Sequence, residues 1–133
     1  GIKINIIGDI KKLSTDIKKT LNETIKLTKK NKSITVNLAI NYGSKNEILN
    51  AINKTKKKTT LKKFEKNLYT KNMPDPDILI RTGGQKRLSN FMLWQLAYSE
   101  LFFVKKLWPD FKSSDLRNII EKYYKRKRNF GAI

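Results

Sequence analysis

Cysteine and histidine are both absent from this 133-residue chain. Without cysteine there are no disulfides and no thiolate metal sites. Without histidine the commonest metal ligand is gone, and with it the side chain that most often moves protons near neutral pH. Acids are scarce, 11 against 30 lysines and arginines, which leaves a formal net charge of +19. Prolines number three and glycines six, so the places where they stand are informative. No apolar run approaches the ~20 residues that a membrane-spanning helix requires. Neither a signal peptide nor an initiating methionine opens the sequence. The chain starts directly on the strand-like Gly1-Ile-Lys-Ile-Asn-Ile-Ile-Gly8, as expected of a piece cut from a longer protein.

A chain of this length holds at most one domain. Its charge suits three kinds of partner: nucleic acid, an anionic membrane surface, or a phosphorylated small molecule. The charge alone does not choose among them. Lysine, asparagine and isoleucine contribute 25, 13 and 16 residues, a compositional bias that places much lysine on solvent-facing helix positions. Tyrosine and phenylalanine fall at core spacings and not between exposed lysines, which disfavours a basic nucleic-acid-binding module. No nucleic-acid partner is expected.

Arginine is the informative cation, because only five of the 30 basic residues are arginine: Arg81, Arg87, Arg117, Arg126 and Arg128. Arg81 and Arg87 flank Gly83-Gly84 in Asp77-Ile-Leu-Ile-Arg-Thr-Gly-Gly-Gln-Lys-Arg-Leu-Ser-Asn-Phe91. This stretch reads as a short buried strand, a two-glycine turn and the start of an apolar helix. Backbone N–H groups and a helix N-terminus at such a turn suit an anion, and a guanidinium fork grips two phosphate oxygens at once.

Alternation predicts a strand over Lys3 to Ile7 and a second over Ile34 to Ile40. Between them Ser14 is the expected N-cap of a helix running to about Lys30, with Ile17, Leu21 and Ile25 as its apolar stripe. Ser44 is the expected cap of a helix burying Ile48, Leu49 and Ile52. Residues 53–60 read as a mobile lysine-rich connection. Leu61, Phe64, Leu68 and Tyr69 make a short amphipathic helix, and Pro74 and Pro76 stop regular structure. Ile78 to Ile80 is a third strand, apolar enough to be covered on both faces. Phe91 to Tyr98, apolar all round, predicts a buried helix. Glu100 follows, a carboxylate that must be exposed or paired with a cation or metal. Phe102 to Leu107 is a fourth strand ended by Trp108-Pro109-Asp110. Ser113 or Ser114 then caps a helix with Leu116, Ile119, Ile120, Tyr123 and Tyr124 on one face, and Gly131 fits its stop. Strand and helix alternate, so the fold class is α/β, a mostly parallel sheet flanked by helices.

The run from Ile80 to Phe103, followed by Leu107-Trp-Pro-Asp-Phe111, resembles the cis-prenyltransferases, the undecaprenyl and dehydrodolichyl diphosphate synthases. Their pattern R-T-G-G-x-x-R-x-S-N-F, then W-Q, E-L-x-F and W-P-D-F, is met here in order and spacing. Ile6-Ile-Gly-Asp9, Asn37 with Asn41-Tyr42-Gly43, and Arg126-Lys-Arg-Asn-Phe-Gly131 are similar to further family motifs. The resemblance implies that residues 1–133 correspond to the C-terminal part of a single cis-prenyltransferase domain, incomplete without its N-terminal half. The implied activity condenses isopentenyl diphosphate onto an allylic diphosphate, such as farnesyl diphosphate, with cis geometry to give a long-chain polyprenyl diphosphate. It further implies Mg2+, a homodimer or a heterodimer with a related subunit, and contact with a membrane surface through the product. The implied location is the cytoplasm or the face of the endoplasmic reticulum membrane.

By position, the resemblance assigns Arg81, Arg87, Ser89, Gly83 and Gly84 to the diphosphate of isopentenyl diphosphate. It assigns Arg126 and Arg128 to substrate binding near a partner subunit's site, and Glu100 to the metal. Asp77 is read as structural or as orienting an arginine. Ile34, Val36 and Leu38 would line the product tunnel. No catalytic residue is assigned within the chain, because the family's M-D-G-N-x-R-W segment is not in the sequence, so the chain alone is expected to be inactive. Two departures stand out: Gln85-Lys86 replaces a Glu-His pair, and Asn129 replaces an arginine. The alternative from another class is a non-catalytic partner subunit of such a complex.

Overall fold

The computed structural model describes residues 1–55 and 59–127. The chain divides into two compact units, Gly1–Met73 and Pro74–Ile133. Every strand pairing among the described residues is parallel, with helices in both units.

The first unit is built on β1 (Ile2–Ile7) and β2 (Ile34–Ala39), paired in parallel from Ile2 opposite Ile34 to Ile7 opposite Ala39. Side chains alternate across a pleated strand. The register therefore puts Ile2, Ile4 and Ile6 on one face with Ile34, Val36 and Leu38. α1 (Thr15–Thr28) crosses between the strands. Its end covers the free edge of β1: the Ile4 N–H donates to Thr28 Oγ1 (3.1 Å), and Asn31 Nδ2 donates to the Ile2 carbonyl (2.7 Å). An edge strand so occupied offers fewer open groups to a second chain.

α2 (Ser44–Lys54) and the short α3 (Leu61–Glu65) complete this unit. α2 inverts the expected face. Leu49 and Ile52 are 56% and 51% exposed, while Ser44, Glu47 and Ala51 are buried. The reason lies elsewhere in the chain. The Tyr42 hydroxyl (2.5 Å) and the Tyr69 N–H (2.7 Å) both donate to the Glu47 carboxylate, so a charged position is held inside by two hydrogen bonds. Ile7, Ala51, Phe64 and Leu68 form the apolar core around it. Ser44 is the first helical residue and not the cap, which is Gly43. Ser14 does cap α1 by position but makes no side-chain capping bond. Asn53 and Lys54 belong to α2, and residues 56–58 of the expected connection lie outside the described residues.

The second unit pairs β3 (Ile78–Arg81) with β4 (Glu100–Phe103), Ile78 opposite Glu100 and Arg81 opposite Phe103. β3 is half-buried throughout, not covered on both faces. A 3-10 turn at Trp108–Asp110 leads to α4 (Ser113–Lys125). Neither Ser113 nor Ser114 is the cap of α4. Lys112 holds that position, with its N–H bonded to Asp115 Oδ2 at 2.9 Å. Of the expected apolar face of α4 only Ile119 is buried.

The largest departure is Phe91 to Tyr98, which forms a chain of turns and no helix. Ser89, Asn90 and Met92 have φ of 49°, 62° and 46°. Left-handed residues at this spacing break the i to i−4 ladder, and none of the three is glycine. Gln95 and Leu96 are nevertheless buried, so the segment contributes to a core with Phe102 and Ile119 without being helical.

Candidate functional site

Functional groups in open α/β folds gather at the carboxyl ends of parallel strands. Arg81 is the last residue of β3, and its carbonyl accepts the Val104 N–H at 2.8 Å. The chain then turns through Gly83 and Gly84, at φ of 84° and 74°. The Gly83 N–H donates to the Lys106 carbonyl (2.8 Å) and the Gly84 N–H to the Val104 carbonyl (2.9 Å). These two donors hold the turn to the chain after β4, and no helix starts beyond it. The backbone cradle and helix N-terminus expected for an anion are therefore replaced by side chains.

Those side chains are wired to one another. Arg81 Nη1 donates to the Arg87 carbonyl and to Ser89 Oγ, the latter at 2.9 Å. Arg87 Nη1 donates to Gln85 Oε1 at 2.7 Å. The loop from Gln85 to Ser89 thus folds around the Arg81 guanidinium. An arginine carries five N–H donors in a fixed fork. Nη1 is engaged, while Nε and Nη2 of Arg81 bond to no described residue, leaving the edge that can grip two oxygens at once. Arg87, Lys86 and Ser89 are exposed beside it. A dense cluster of cations and hydroxyl donors with no nearby acid in its hydrogen bonds is chemically suited to a di-anion.

Lys106 joins this turn to α4. Its carbonyl receives the Gly83 N–H, and its ammonium donates to both oxygens of Asp115, at 2.7 and 2.9 Å. The Lys106 ammonium, and after it the Lys112 N–H, hold the Asp115 carboxyl below its ordinary value.

Glu100 lies elsewhere. It opens β4 opposite Ile78, three residues from the Arg81–Phe103 pair, so the backbones are separated along the strands by about 10 Å. The Glu100 carboxylate is in an ion pair with Arg126, and the Arg126 guanidinium sits 4.7 Å from the centroid of the Phe102 ring. Asp77, just before β3, accepts the Tyr123 hydroxyl at 3.1 Å. Arg126 therefore joins Glu100 within the chain. Arg128 lies outside the described residues.

A magnesium ion is usually held by one or two carboxylates with water and phosphate oxygens. Among the described residues no three acids converge, and the one carboxylate assigned to a metal, Glu100, already faces a guanidinium. A single carboxylate such as Glu100 would hold the ion only together with substrate oxygens and with the Arg126 side chain, 47% exposed, moved aside.

Ile34, Val36 and Leu38 lie on the apolar face of β1 and β2 in the first unit, with Ile34 56% and Leu38 41% exposed. Beyond the carboxyl ends of the same strands is a cleft of about 370 Å³, lined by Asp9, Lys12, Asn41, Asn46, Asn50 and Tyr69 among others. Buried Glu47 fixes one wall of it by its bond to the Tyr69 N–H. Sequence reasoning missed Glu47 and this cleft. The signal available was the pair Asn46 and Asn50, four apart on α2. No helix among the described residues is long and apolar enough to cross a membrane.

The comparisons with known proteins agree with one another. The prenyltransferase family model described as undecaprenyl diphosphate synthase matches residues 1–131. An isoprenyl transferase of Rickettsia sibirica is 47% identical over 135 residues, covering 98% of this chain and 60% of the relative. One from Oceanobacillus iheyensis is 39% identical over 143 residues, covering 100% of this chain and 57% of its own length. The crystal structure of lavandulyl diphosphate synthase from Lavandula x intermedia, in complex with dimethylallyl diphosphate, superposes with a TM-score of 0.92 at 34% identity, covering 98% of this chain and 61% of that one. A probable undecaprenyl diphosphate synthase from Campylobacter jejuni gives a TM-score of 0.88 at 32% identity, covering 98% and 64%. The chain thus spans about three-fifths of the length of these proteins. With the family model matching nearly every residue, the chain belongs to the undecaprenyl diphosphate synthase family of prenyltransferases.

Proposed function

We propose that the protein carrying this chain elongates a prenyl diphosphate, condensing isopentenyl diphosphate onto an allylic diphosphate such as farnesyl diphosphate with cis geometry. In that reaction a carbon–carbon bond forms between the two substrates as the allylic C–O bond breaks, inorganic diphosphate leaves the allylic substrate, and a proton departs from the isopentenyl carbon skeleton. The observation that carries the reading is the open Nε–Nη2 edge of Arg81 beside Arg87 and Ser89.

Arg81 binds the diphosphate of isopentenyl diphosphate through that edge, while its Nη1 holds Ser89 and the Arg87 backbone in place. Arg87 adds a second positive charge and Ser89 a hydroxyl. Two diphosphates repel strongly, and fixed guanidinium charge offsets this repulsion at every working pH. Donors placed before the substrate arrives need no reorganisation during reaction. Gly83 and Gly84 serve by shaping the turn, since their N–H groups are engaged. The isoleucine-rich face of β1 and β2, with Ile34, Val36 and Leu38, supplies apolar wall for the growing chain. Magnesium would draw its oxygen ligands from diphosphate, from Glu100 with Arg126 moved aside, and from other residues of the complete protein.

The working unit is a homodimer or a heterodimer with a related subunit, in the cytoplasm or on the endoplasmic reticulum surface; sedimentation and cell fractionation test these two points. The decisive experiment replaces Arg81 or Arg87 by Ala in the complete protein and follows isopentenyl diphosphate incorporation with farnesyl diphosphate. Loss of a charge-assisted contact to phosphate predicts a fall of about 10- to 100-fold in turnover for each. Near-normal incorporation by both variants would overturn the assignment.

A further inference from the structure

The cleft of about 370 Å³ beyond the carboxyl ends of β1 and β2 lies wholly in the first unit and shares no residue with the arginine turn. Open α/β folds take ligands at that end of a parallel pair. Two of the loops that form it are locked together. The Asp9 N–H donates to the Asn41 carbonyl (3.3 Å), and Asn41 Nδ2 donates to the Asp9 carbonyl (2.9 Å). Asn41 is held at φ of 46°, a left-handed angle uncommon outside glycine, and such angles cluster at ligand sites. Buried Glu47 accepts the Tyr69 N–H at 2.7 Å and so anchors Tyr69 to α2. The cleft is therefore shaped before any ligand arrives.

Its polar side chains have bonding capacity to spare. Asp9 Oδ1 accepts the Lys11 N–H at 3.0 Å, while Oδ2 bonds to no described residue. The Lys12 ammonium and the Asn46 amide also bond to no described residue. The Tyr69 hydroxyl accepts weakly from Asn50 Nδ2 at 3.4 Å and keeps its proton to donate. Asn46 and Asn50, four apart, share one face of α2.

This chemistry differs from that of the arginine turn. One lining residue is acidic and one is basic, so their formal charges cancel, in a chain of net charge +19. A phosphate gains nothing from such a lining. A carboxylate beside an ammonium and two amides suits a ligand that donates and accepts at neighbouring atoms. A vicinal diol does both, since each hydroxyl carries one donor and two acceptor sites. The Tyr69 ring and Leu49, 56% exposed, add apolar surface for the C–H groups of a ring. Small-molecule pockets run from about 300 to 1,000 Å³, and this one is near the lower bound.

We propose that this cleft binds a neutral polyhydroxyl ligand the size of one pyranose, with Asp9 accepting from its hydroxyls and Lys12 and Asn46 donating to them. The proposal does not rest on the transferase reading. Its test measures binding and not turnover, at residues outside the diphosphate site, so either can fail alone.

The test is saturation-transfer NMR on the complete protein carrying this chain, with D-glucose as probe. Ligand efficiencies for small molecules put its Kd at about 1–10 mM. Cyclohexanol, a ring with a single hydroxyl, should bind at least about tenfold more weakly. Inorganic phosphate at equal concentration should not displace glucose. Asp9→Asn keeps the Oδ1 acceptor for the Lys11 N–H and removes the charge, and it should raise the Kd by about 5- to 20-fold. Asn46→Ala, at an exposed helix position, should raise it by about threefold to tenfold. If Asp9→Asn loosens its turn, Asn46→Ala decides by itself. The proposal fails if glucose gives no transfer at about 50 mM, well above the expected Kd. It also fails if cyclohexanol binds equally well, if phosphate displaces glucose, or if Asn46→Ala binds glucose like wild type.

Discussion

Arg81 Nη1 and Ser89 Oγ are 2.9 Å apart, joined across a loop in which Ser89 adopts a left-handed φ of 49°. One guanidinium thus shapes the loop through Nη1, while its Nε and Nη2 bond to no described residue. The two roles separate under substitution. Arg81→Lys keeps the charge but can neither hold the loop nor grip two oxygens, so it should lower turnover by about 10- to 100-fold. Ser89→Ala removes one hydroxyl and should cost about 5- to 10-fold, seen mainly as a raised KM for isopentenyl diphosphate. Steady-state kinetics of the two variants checks this. Equal, small effects would mean that the fork is not used.

Glu47 is 1% exposed and accepts from Tyr42 and from the Tyr69 N–H. Glu47→Ala strands both donors and leaves a void, so it should destabilise the first unit by about 2–4 kcal/mol. Tyr42→Phe removes one partner and should cost about 1–2 kcal/mol. Urea titration of both variants gives the comparison. A Glu47→Ala midpoint at or above that of Tyr42→Phe contradicts the staple.

Gly8 and Gly83 both have positive φ, at 114° and 84°, but differ in what surrounds them. A Cβ on Gly8 would lie 2.1 Å from the Ile40 carbonyl oxygen, whereas one on Gly83 meets nothing nearer than Leu107 Cδ2 at 4.0 Å. Gly83→Ala should therefore cost about 1–2 kcal/mol, for backbone angle alone. Gly8→Ala should cost more, about 3 kcal/mol or above, because backbone has to move. Thermal melts of the two variants would rank them, and the reverse order would be inconsistent with the geometry at Ile40.

Asp115 ties α4 to Lys106. Its carboxyl is held below its ordinary value, first by the Lys106 ammonium and then by the Lys112 N–H. A carboxyl lowered on folding adds stability that is fully present above its unfolded pKa and is lost as pH falls through the folded one. The contribution is thus constant at neutral pH and disappears below about pH 4. Acid titration of stability should show a steeper loss in wild type than in Asp115→Asn over that window. Parallel curves for the two would remove the pair as a contributor.

The first three strands and the long helices were legible because their periods survive in the sequence; the fourth strand, expected over Phe102 to Leu107, is Glu100–Phe103. Ile2 to Ile7 and Ile34 to Ala39 alternate, α1 repeats its apolar residues every four, and the arginines around Gly83-Gly84 stand out against lysine. Three features were not. Phe91 to Tyr98 is apolar on every side, which signals burial without choosing a backbone, and the left-handed angles at Ser89, Asn90 and Met92 decide against a helix. The buried face of α2 was hidden because Glu47 is satisfied by Tyr42 and Tyr69, partners that no local pattern announces. Glu100 reads from the sequence as exposed or paired with a cation or metal, and the structure sets Arg126 against it, 26 residues away and invisible to spacing.

The turns of Phe91 to Tyr98 bear on the order in which the molecule assembles. Ile2 and Ile34 are 32 positions apart, and Ile78 and Glu100 are 22 apart. Closing these two loops differs by only about 0.3 kcal/mol in chain entropy. What lies between the strands therefore matters more than how much. The first pair is bridged by a 14-residue helix that can begin to form from its own hydrogen bonds. The second is bridged by left-handed turns with little local preference to exist. Protection of β1 and β2 amides should precede that of β3 and β4 in pulse-labelled refolding, so the half of the chain with the arginine fork is the last to become competent.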